Sequence, residues 1–127
     1  EQKKMLETIS SCGDGLLTVL NDILDFSKIE SGSIKLENRP FSLNECLNEV
    51  SYLFSTKASE KGIGFSCNIV TPNTPEIISG DITRVKQILI NLASNAIKFT
   101  SFGEVTIQVK SSLVNEQDVS FRQPCVI

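Results

Sequence analysis

The first thirty residues carry an apolar seam, which limits what the chain can fold into more than any other feature. The seam advances in alternating steps of four and three residues through Met5, Ile9, Cys12, Leu16, Val19, Ile23 and Phe26. Such spacing is typical of one helix in a bundle or coiled coil. We therefore predict an amphipathic helix over residues 2–31 that ends at Gly32. No later helix matches its seam and length, so we expect it to pair with a second copy of the chain.

Capping signals predict two further helices downstream of the seam. Ser42 and Glu45 form a capping box that begins the first of them, and Gly62 ends it. Asp81 caps the second, which runs to about Thr100. Both predicted helices carry an apolar stripe, so each is expected to pack on a neighbouring layer.

Strand patterns alternate with these helices. Apolar residues at every second position predict strands over residues 63–69 and 105–109, and a shorter strand over residues 34–36. A last strand is predicted from Val119 onward. The fold class is therefore predicted to be α+β, with a long N-terminal bundle helix followed by part of an α/β sandwich that has helices on one face of a mixed sheet.

The composition excludes several classes of function. The chain of 127 residues contains no histidine, which removes Ser/His/Asp and Cys/His nucleophiles and the commonest zinc ligand. Its 12 basic and 15 acidic residues are interspersed, so no contact with nucleic acid or with a membrane is expected. The four scattered cysteines are typical of small core residues in a reducing, cytoplasmic setting.

The helix predicted after Asp81 carries an unusual polar stripe. At roughly 100° per residue, its polar members fall within about 60° of arc without any carboxylate, and they are Arg84, Asn91, Asn95 and Lys98. A separate arc of about 100° is predicted as the core face and holds Ile82, Val85, Leu89, Leu92, Ala96 and Phe99. Amide oxygens and cations together suit a hard metal that is bound to phosphate. The alternative that the residues leave open is an exposed face that merely lacks acids.

Two stretches resemble sensor histidine kinases of the hybrid type. Residues 91–100, NLASNAIKFT, resemble the N-box of that family, and residues 80–89 precede it as they do there. Residues 20–32, LNDILDFSKIESG, resemble the end of the second dimerisation helix. The resemblance implies that residues 1–32 are the second helix of the dimerisation and phosphoacceptor hairpin. It implies that residues 33–127 are the N-terminal part of the ATP-binding catalytic domain.

The resemblance also implies ATP and Mg²⁺ as cofactors. Asn95 matches the family residue that ligates Mg²⁺ between the ATP phosphates, and Asn91 matches the catalytic position that supports the metal and organises phosphoryl transfer. Lys98 matches a lysine that contacts phosphate, and Phe99 matches an aromatic wall of the adenine pocket. The implied partners are a second copy, paired through residues 2–31, and the receiver domain of a response regulator.

Asn91 distinguishes this chain from the ATPases that share the implied fold. Type II topoisomerases, heat-shock chaperones and mismatch-repair ATPases carry Glu at that position, where it activates water as a base. An amide has no such basicity. The resemblance therefore favours an ATP-dependent protein-histidine kinase over an enzyme that hydrolyses ATP.

Two parts of the kinase machinery do not occur in the sequence. The family's phosphoacceptor is a histidine, and none is present. The family's Asp-x-Gly-x-Gly adenine motif follows the N-box, whereas the only imitation, residues 60–64, precedes it and is predicted to be a helix end and strand entry. We therefore expect this chain alone to be inactive. The alternative interpretation is a non-catalytic dimerisation or regulatory module.

Overall fold

The structure is a computed structural model that describes residues 1–112. It divides into two compact units, Glu1–Glu37 and Asn38–Ile127. The predicted strand from Val119 and the fourth cysteine, Cys125, lie outside the described residues. The predicted domain boundary at residue 32 remains a prediction.

The first unit consists of helix α1, Gln2–Glu30. It ends at the predicted glycine: Gly32 has φ 66°, its N–H donates to the Ile29 carbonyl at 3.0 Å, and the Ser33 N–H donates to the Lys28 carbonyl at 2.9 Å. This is the Schellman arrangement, which satisfies the last carbonyls of a helix. No residue of α1 is buried, so its whole apolar seam is exposed in the single chain.

The second unit interleaves four strands with two helices. Its described elements are β1 Arg39–Ser42, α2 Leu43–Glu60, β2 Gly64–Ile69, β3 Ile77–Gly80, α3 Ile82–Phe99 and β4 Glu104–Val109. β1 pairs antiparallel with β3, and β2 pairs parallel with β4. The predicted α+β class, with a long N-terminal helix, is confirmed.

The predicted strand at residues 34–36 is wrong. The strand lies instead at Arg39–Ser42, where Pro40 is opposite Ser79 of β3. Proline lacks an N–H, so the sequence pattern treats it as the end of a strand. Here β1 pairs on one side only among the described residues, and a proline N facing away from a ladder loses no hydrogen bond.

One core holds α2, α3 and the β2–β4 ladder together. Its buried members are Val50, Phe54, Ala58, Ile63, Ala93, Ile97 and Val105. The Phe54 and Phe65 rings lie 5.9 Å apart at 45°, within the range of favourable aromatic packing. Cys46 is fully buried as predicted, Cys67 is half-buried, and Cys12 is exposed on α1.

Candidate functional site

Both ends of α3 are fixed by hydrogen bonds. At its beginning, a side-chain oxygen of Asp81 accepts from the Arg84 N–H at 3.1 Å, which confirms the predicted cap. At its end, the Thr100 N–H donates to the Ala96 carbonyl at 3.0 Å. A helix held at both termini presents its side chains at defined angles around its axis.

The buried face of α3 differs from the one that we predicted. Ala93 is 0% exposed and Ile97 is 7% exposed, whereas Leu92 and Phe99 of the predicted core face are 59% and 76% exposed. The remaining four predicted core residues are half-buried: Ile82, Val85, Leu89 and Ala96. Phe99 is thus not a core residue, and its assignment to an adenine pocket remains a prediction.

The polar stripe lies on the side of α3 away from this core. Asn91, Asn95 and Lys98 are all exposed, so none is packed beneath the described part of the chain. At roughly 100° per residue, Asn95 stands about 160° from both Ala93 and Ile97. Asn91 and Asn95 are one helical turn apart, which places two carboxamides next to each other on the exposed surface.

Two members of the stripe already contact neighbours on α3. An Arg84 guanidinium N–H donates to the Gln87 side-chain oxygen at 2.8 Å, and both residues are half-buried. The Lys98 ammonium lies 5.2 Å from the centre of the Phe99 ring. A cation over an aromatic face is attracted by about 0.5–1 kcal/mol at an exposed site, so this contact biases Lys98 toward Phe99 without burying its charge.

The face around the stripe also carries apolar side chains. Ile88, Leu92 and Phe99 are each more than half exposed. They flank the two asparagines along the outer side of α3. The outer surface of this helix therefore combines carboxamides, cations and apolar patches.

Sequence reasoning did not identify Lys61 as part of this region. Its ammonium donates to the Ile97 carbonyl at 2.6 Å and to the Lys98 carbonyl at 2.9 Å. Lys61 lies within residues 60–64, which were correctly interpreted as a helix end and strand entry. A lysine at a helix end is a signal for capping carbonyls, but the sequence cannot show that those carbonyls belong to a different helix.

An ion pair holds the other end of α3 against α2. The Lys86 ammonium contacts the Glu49 carboxylate, and this hydrogen bond raises the pKa of Lys86. Burial raises the pKa of the nearby Cys46 thiol, so this cysteine stays neutral and unreactive. These contacts lie toward the core side of α3, and they stabilise the scaffold rather than the polar stripe.

The residues of the stripe limit the kind of metal site that α3 can form. Within residues 1–112, no three His, Cys, Asp or Glu side chains cluster as metal ligands. Carboxamide oxygens are weak ligands on their own, so a metal here needs anionic ligands from a bound molecule. The arrangement suits Mg²⁺ that arrives already chelated by phosphates. None of the helices in this part of the chain combines the length and apolar character needed to cross a bilayer.

Comparison with curated proteins finds similarity to histidine kinases. The chain is 42% identical over 131 aligned residues to hybrid signal transduction histidine kinase K of Dictyostelium discoideum, covering 96% of the chain and 11% of that protein. It is 39% identical to signal transduction histidine-protein kinase BarA of Escherichia coli, covering 93% of the chain and 13% of that protein. The chain thus spans little more than a tenth of either relative. No protein-family model matches it.

Solved structures agree with the sequence comparison. Full-length ShkA in complex with AMPPNP is 35% identical with a TM-score of 0.72, over 91% of this chain and 24% of that one. The histidine kinase ThkA in complex with the response regulator protein TrrA is 33% identical with a TM-score of 0.62, over 88% of this chain and 32% of that one.

Proposed function

Because the chain belongs to the histidine kinase family by sequence and by fold, we propose that the exposed polar stripe of α3 binds the Mg²⁺-chelated triphosphate of ATP. One observation carries this proposal. Asn91, Asn95 and Lys98 are all exposed on the side of α3 away from Ala93 and Ile97. A helix that is anchored through one face and lined with amides and a cation on the other is a rigid platform for a charged ligand.

Each residue of the stripe has a distinct proposed role. The Asn95 carboxamide oxygen ligates Mg²⁺, and Asn91 supports the metal and orients the group that is transferred. The Lys98 ammonium balances phosphate charge, and the exposed Phe99 ring forms a wall of the adenine pocket. Mg²⁺ supplies charge neutralisation of the phosphates when it is bound. The AMPPNP bound to the similar kinase ShkA supports a nucleotide as the ligand.

Phosphoryl transfer to a protein group is favoured over hydrolysis of ATP. Asn91 is an amide that cannot deprotonate water, and no carboxylate shares the stripe with it. The phosphoacceptor must then be supplied by a histidine outside this sequence. This chain contributes the metal and phosphate side of the reaction in our proposal.

A role in dimerisation is the second candidate function, and the exposed seam of α1 favours it. Its apolar residues, Ile23 at 56% and Phe26 at 65% exposure among them, form a long exposed stripe. Contiguous apolar surface of this kind is typical of an interface. We propose that a second copy of the chain covers it, in a cytoplasmic setting. The complex of the similar kinase ThkA with a response regulator supports a receiver domain as a further partner.

The ATP site can be tested with a paramagnetic substitute for Mg²⁺. The chain is titrated with millimolar Mg²⁺·ATP containing a trace of Mn²⁺, and the side-chain amide signals of asparagine are followed by NMR. Because Mn²⁺ broadens signals close to it, the Asn91 and Asn95 signals should broaden first. Asn48 is the matched control, since it is also an exposed helical asparagine but lies on α2.

Two results would contradict the proposed site. Equal broadening of Asn48 and Asn95 would show that the metal does not bind selectively at α3. Unchanged broadening of Asn91 in an Asn95→Ala variant would show that Asn95 does not ligate the metal. Loss of selective broadening in that variant, with the Asn48→Ala variant behaving as the wild type, supports the assignment.

A further inference from the structure

The carbonyl groups at the end of α3 carry negative charge that repels the proposed triphosphate ligand. Peptide dipoles give the C-terminus of a helix roughly half a negative charge, which is carried by its unpaired carbonyls. Lys98 lies in this turn and Asn95 one turn before it. A triphosphate bound beside them would be repelled by these carbonyls unless a cation offset their charge.

Lys61 supplies such a cation from another element. Its ammonium donates to the carbonyls of both Ile97 and Lys98, at 2.6 and 2.9 Å, from a position 36 and 37 residues earlier in the chain. Hydrogen bonds that involve an ionised group are roughly twice as strong as neutral ones. The contact therefore ties the final turn of α3 to the end of α2.

The backbone that carries Lys61 is itself held firmly. Lys61 is the C-cap residue of α2, and the next two residues complete a Schellman arrangement. The Gly62 N–H donates to the Ser59 carbonyl at 2.9 Å, and the Ile63 N–H donates to the Ala58 carbonyl at 3.0 Å. Gly64 continues the same turn and donates to the Gly103 carbonyl at 2.9 Å. Residues 61–64 thus contact both ends of the connection between α3 and β4: Lys61 bonds to the last turn of α3, and Gly64 bonds to Gly103 just before β4.

We propose that Lys61 is a positioning residue for the phosphate side of the α3 site. Its ammonium caps the last carbonyls of α3, fixes the turn that presents Lys98, and offsets negative charge beside the proposed triphosphate. This inference rests on the proposed function of the stripe, although the capping part of it does not. Lys61 acts through α3 and does not itself contact the ligand.

The capping part is tested by amide hydrogen exchange of the chain without nucleotide. In Lys61→Met, the Thr100 amide should exchange about two- to fivefold faster, the range expected for losing a cation at a helix C-terminus, while Ala93 is unchanged. Lys61→Arg should restore the wild-type rate, because a guanidinium also donates to carbonyls. Wild-type exchange of Thr100 in Lys61→Met would overturn the inference. If Lys61→Met does not fold, Lys61→Gln provides the same comparison without the charge.

The positioning part is tested with the affinity for Mg²⁺·ATP, measured by NMR titration at millimolar nucleotide. Without the Lys61 cation the carbonyls at the end of α3 repel the phosphates, so Lys61→Met should bind about two- to fivefold more weakly, the range expected for a charge lost at a helix C-terminus, and Lys61→Arg should bind normally. Lys57→Met is the matched control: it removes the same charge from the last turn of α2, where Lys57 lies over Phe54.

A variant of the stripe separates this inference from the proposed function. Lys98→Ala should weaken binding by more than Lys61→Met does, because it removes a direct contact. Weaker binding in Lys98→Ala with no change in Lys61→Met would overturn the positioning role and leave the site standing. Unchanged binding in both variants, or no binding by the wild-type chain, would overturn the positioning role together with the proposed function. Equal weakening in Lys57→Met would show a general charge effect and would also overturn it.

Discussion

At the scale of single residues, Gly62 occupies a backbone conformation that side chains disfavour. Its φ of 72° lies in the left-handed region, and its N–H closes the end of α2. A Cβ added there would meet no atom within 4 Å, so the cost of a side chain is conformational rather than steric. Its conformation belongs to the turn in which the Lys61 ammonium donates to the Ile97 and Lys98 carbonyls and the Ile63 N–H donates to the Ala58 carbonyl.

We predict that Gly62→Ala lowers the free energy of unfolding by about 1 kcal/mol, because the Cβ of alanine makes the left-handed conformation unfavourable. Gly62→Asn should cost less, since asparagine tolerates that region better. Urea unfolding followed by circular dichroism measures both. Equal stability of all three proteins would contradict the role assigned to this turn.

The individual residues of α3 also show where sequence reasoning succeeds and fails. The polar stripe was recognised because amides and cations recur at helical spacing without acids. The core face was misassigned at Leu92 and Phe99 because a hydrophobic count cannot tell a buried side chain from an exposed apolar one. The stripe of Ile90, Ala93 and Ile97, at steps of three and four, was the available signal.

At the scale of elements, local capping chemistry was the most predictable feature. The caps at Ser42 and Asp81 and the glycine ends at Gly32 and Gly62 were all confirmed, since each depends on a few adjacent residues. The first strand was misplaced because its position depends on its pairing with β3, almost forty residues later. Pairing between distant segments is not visible in a local pattern.

We predict that Ser42→Ala destabilises the second unit by about 1 kcal/mol, because the Ser42 hydroxyl accepts from the Glu45 N–H at 3.2 Å at the start of α2. Ser55→Ala is the matched control within the same helix. Its hydroxyl donates to the Tyr52 carbonyl at 3.1 Å on the exposed surface, so the change should stay within about 0.5 kcal/mol. Thermal unfolding by calorimetry distinguishes the two, and equal effects would contradict the cap.

At the scale of the whole molecule, the two units differ in how they become stable. The second unit buries its own core, whereas α1 buries none of its residues. Isolated helices are marginal in water because most helical stability comes from packing. The sequence indicated this difference, since the seam had no counterpart elsewhere in the chain.

We predict that Ile23→Asp shifts the chain from dimer to monomer, because a carboxylate in an apolar seam loses its hydration on pairing. Asn21→Asp is the matched control, as it adds the same charge on the polar side of α1. Sedimentation velocity gives the molecular mass of both variants. A sedimentation profile that Ile23→Asp leaves unaltered would mean that α1 does not mediate association.

The parallel ladder between β2 and β4 has a consequence for how the chain folds during its synthesis. It pairs Gly64 with Glu104 and Ile69 with Val109, although β3 and α3 separate the two strands along the chain. Before contacts so far apart in sequence can form, the long segment between them must close into a loop. This closure lowers the entropy of the chain before the contacts stabilise it, which slows folding. During synthesis on a ribosome, α2 can form early because its hydrogen bonds are local. The β2–β4 ladder that covers Val50 and Phe54 can be completed only after Val109 has left the ribosome. A nascent chain arrested before that residue should remain open to proteases and chaperones.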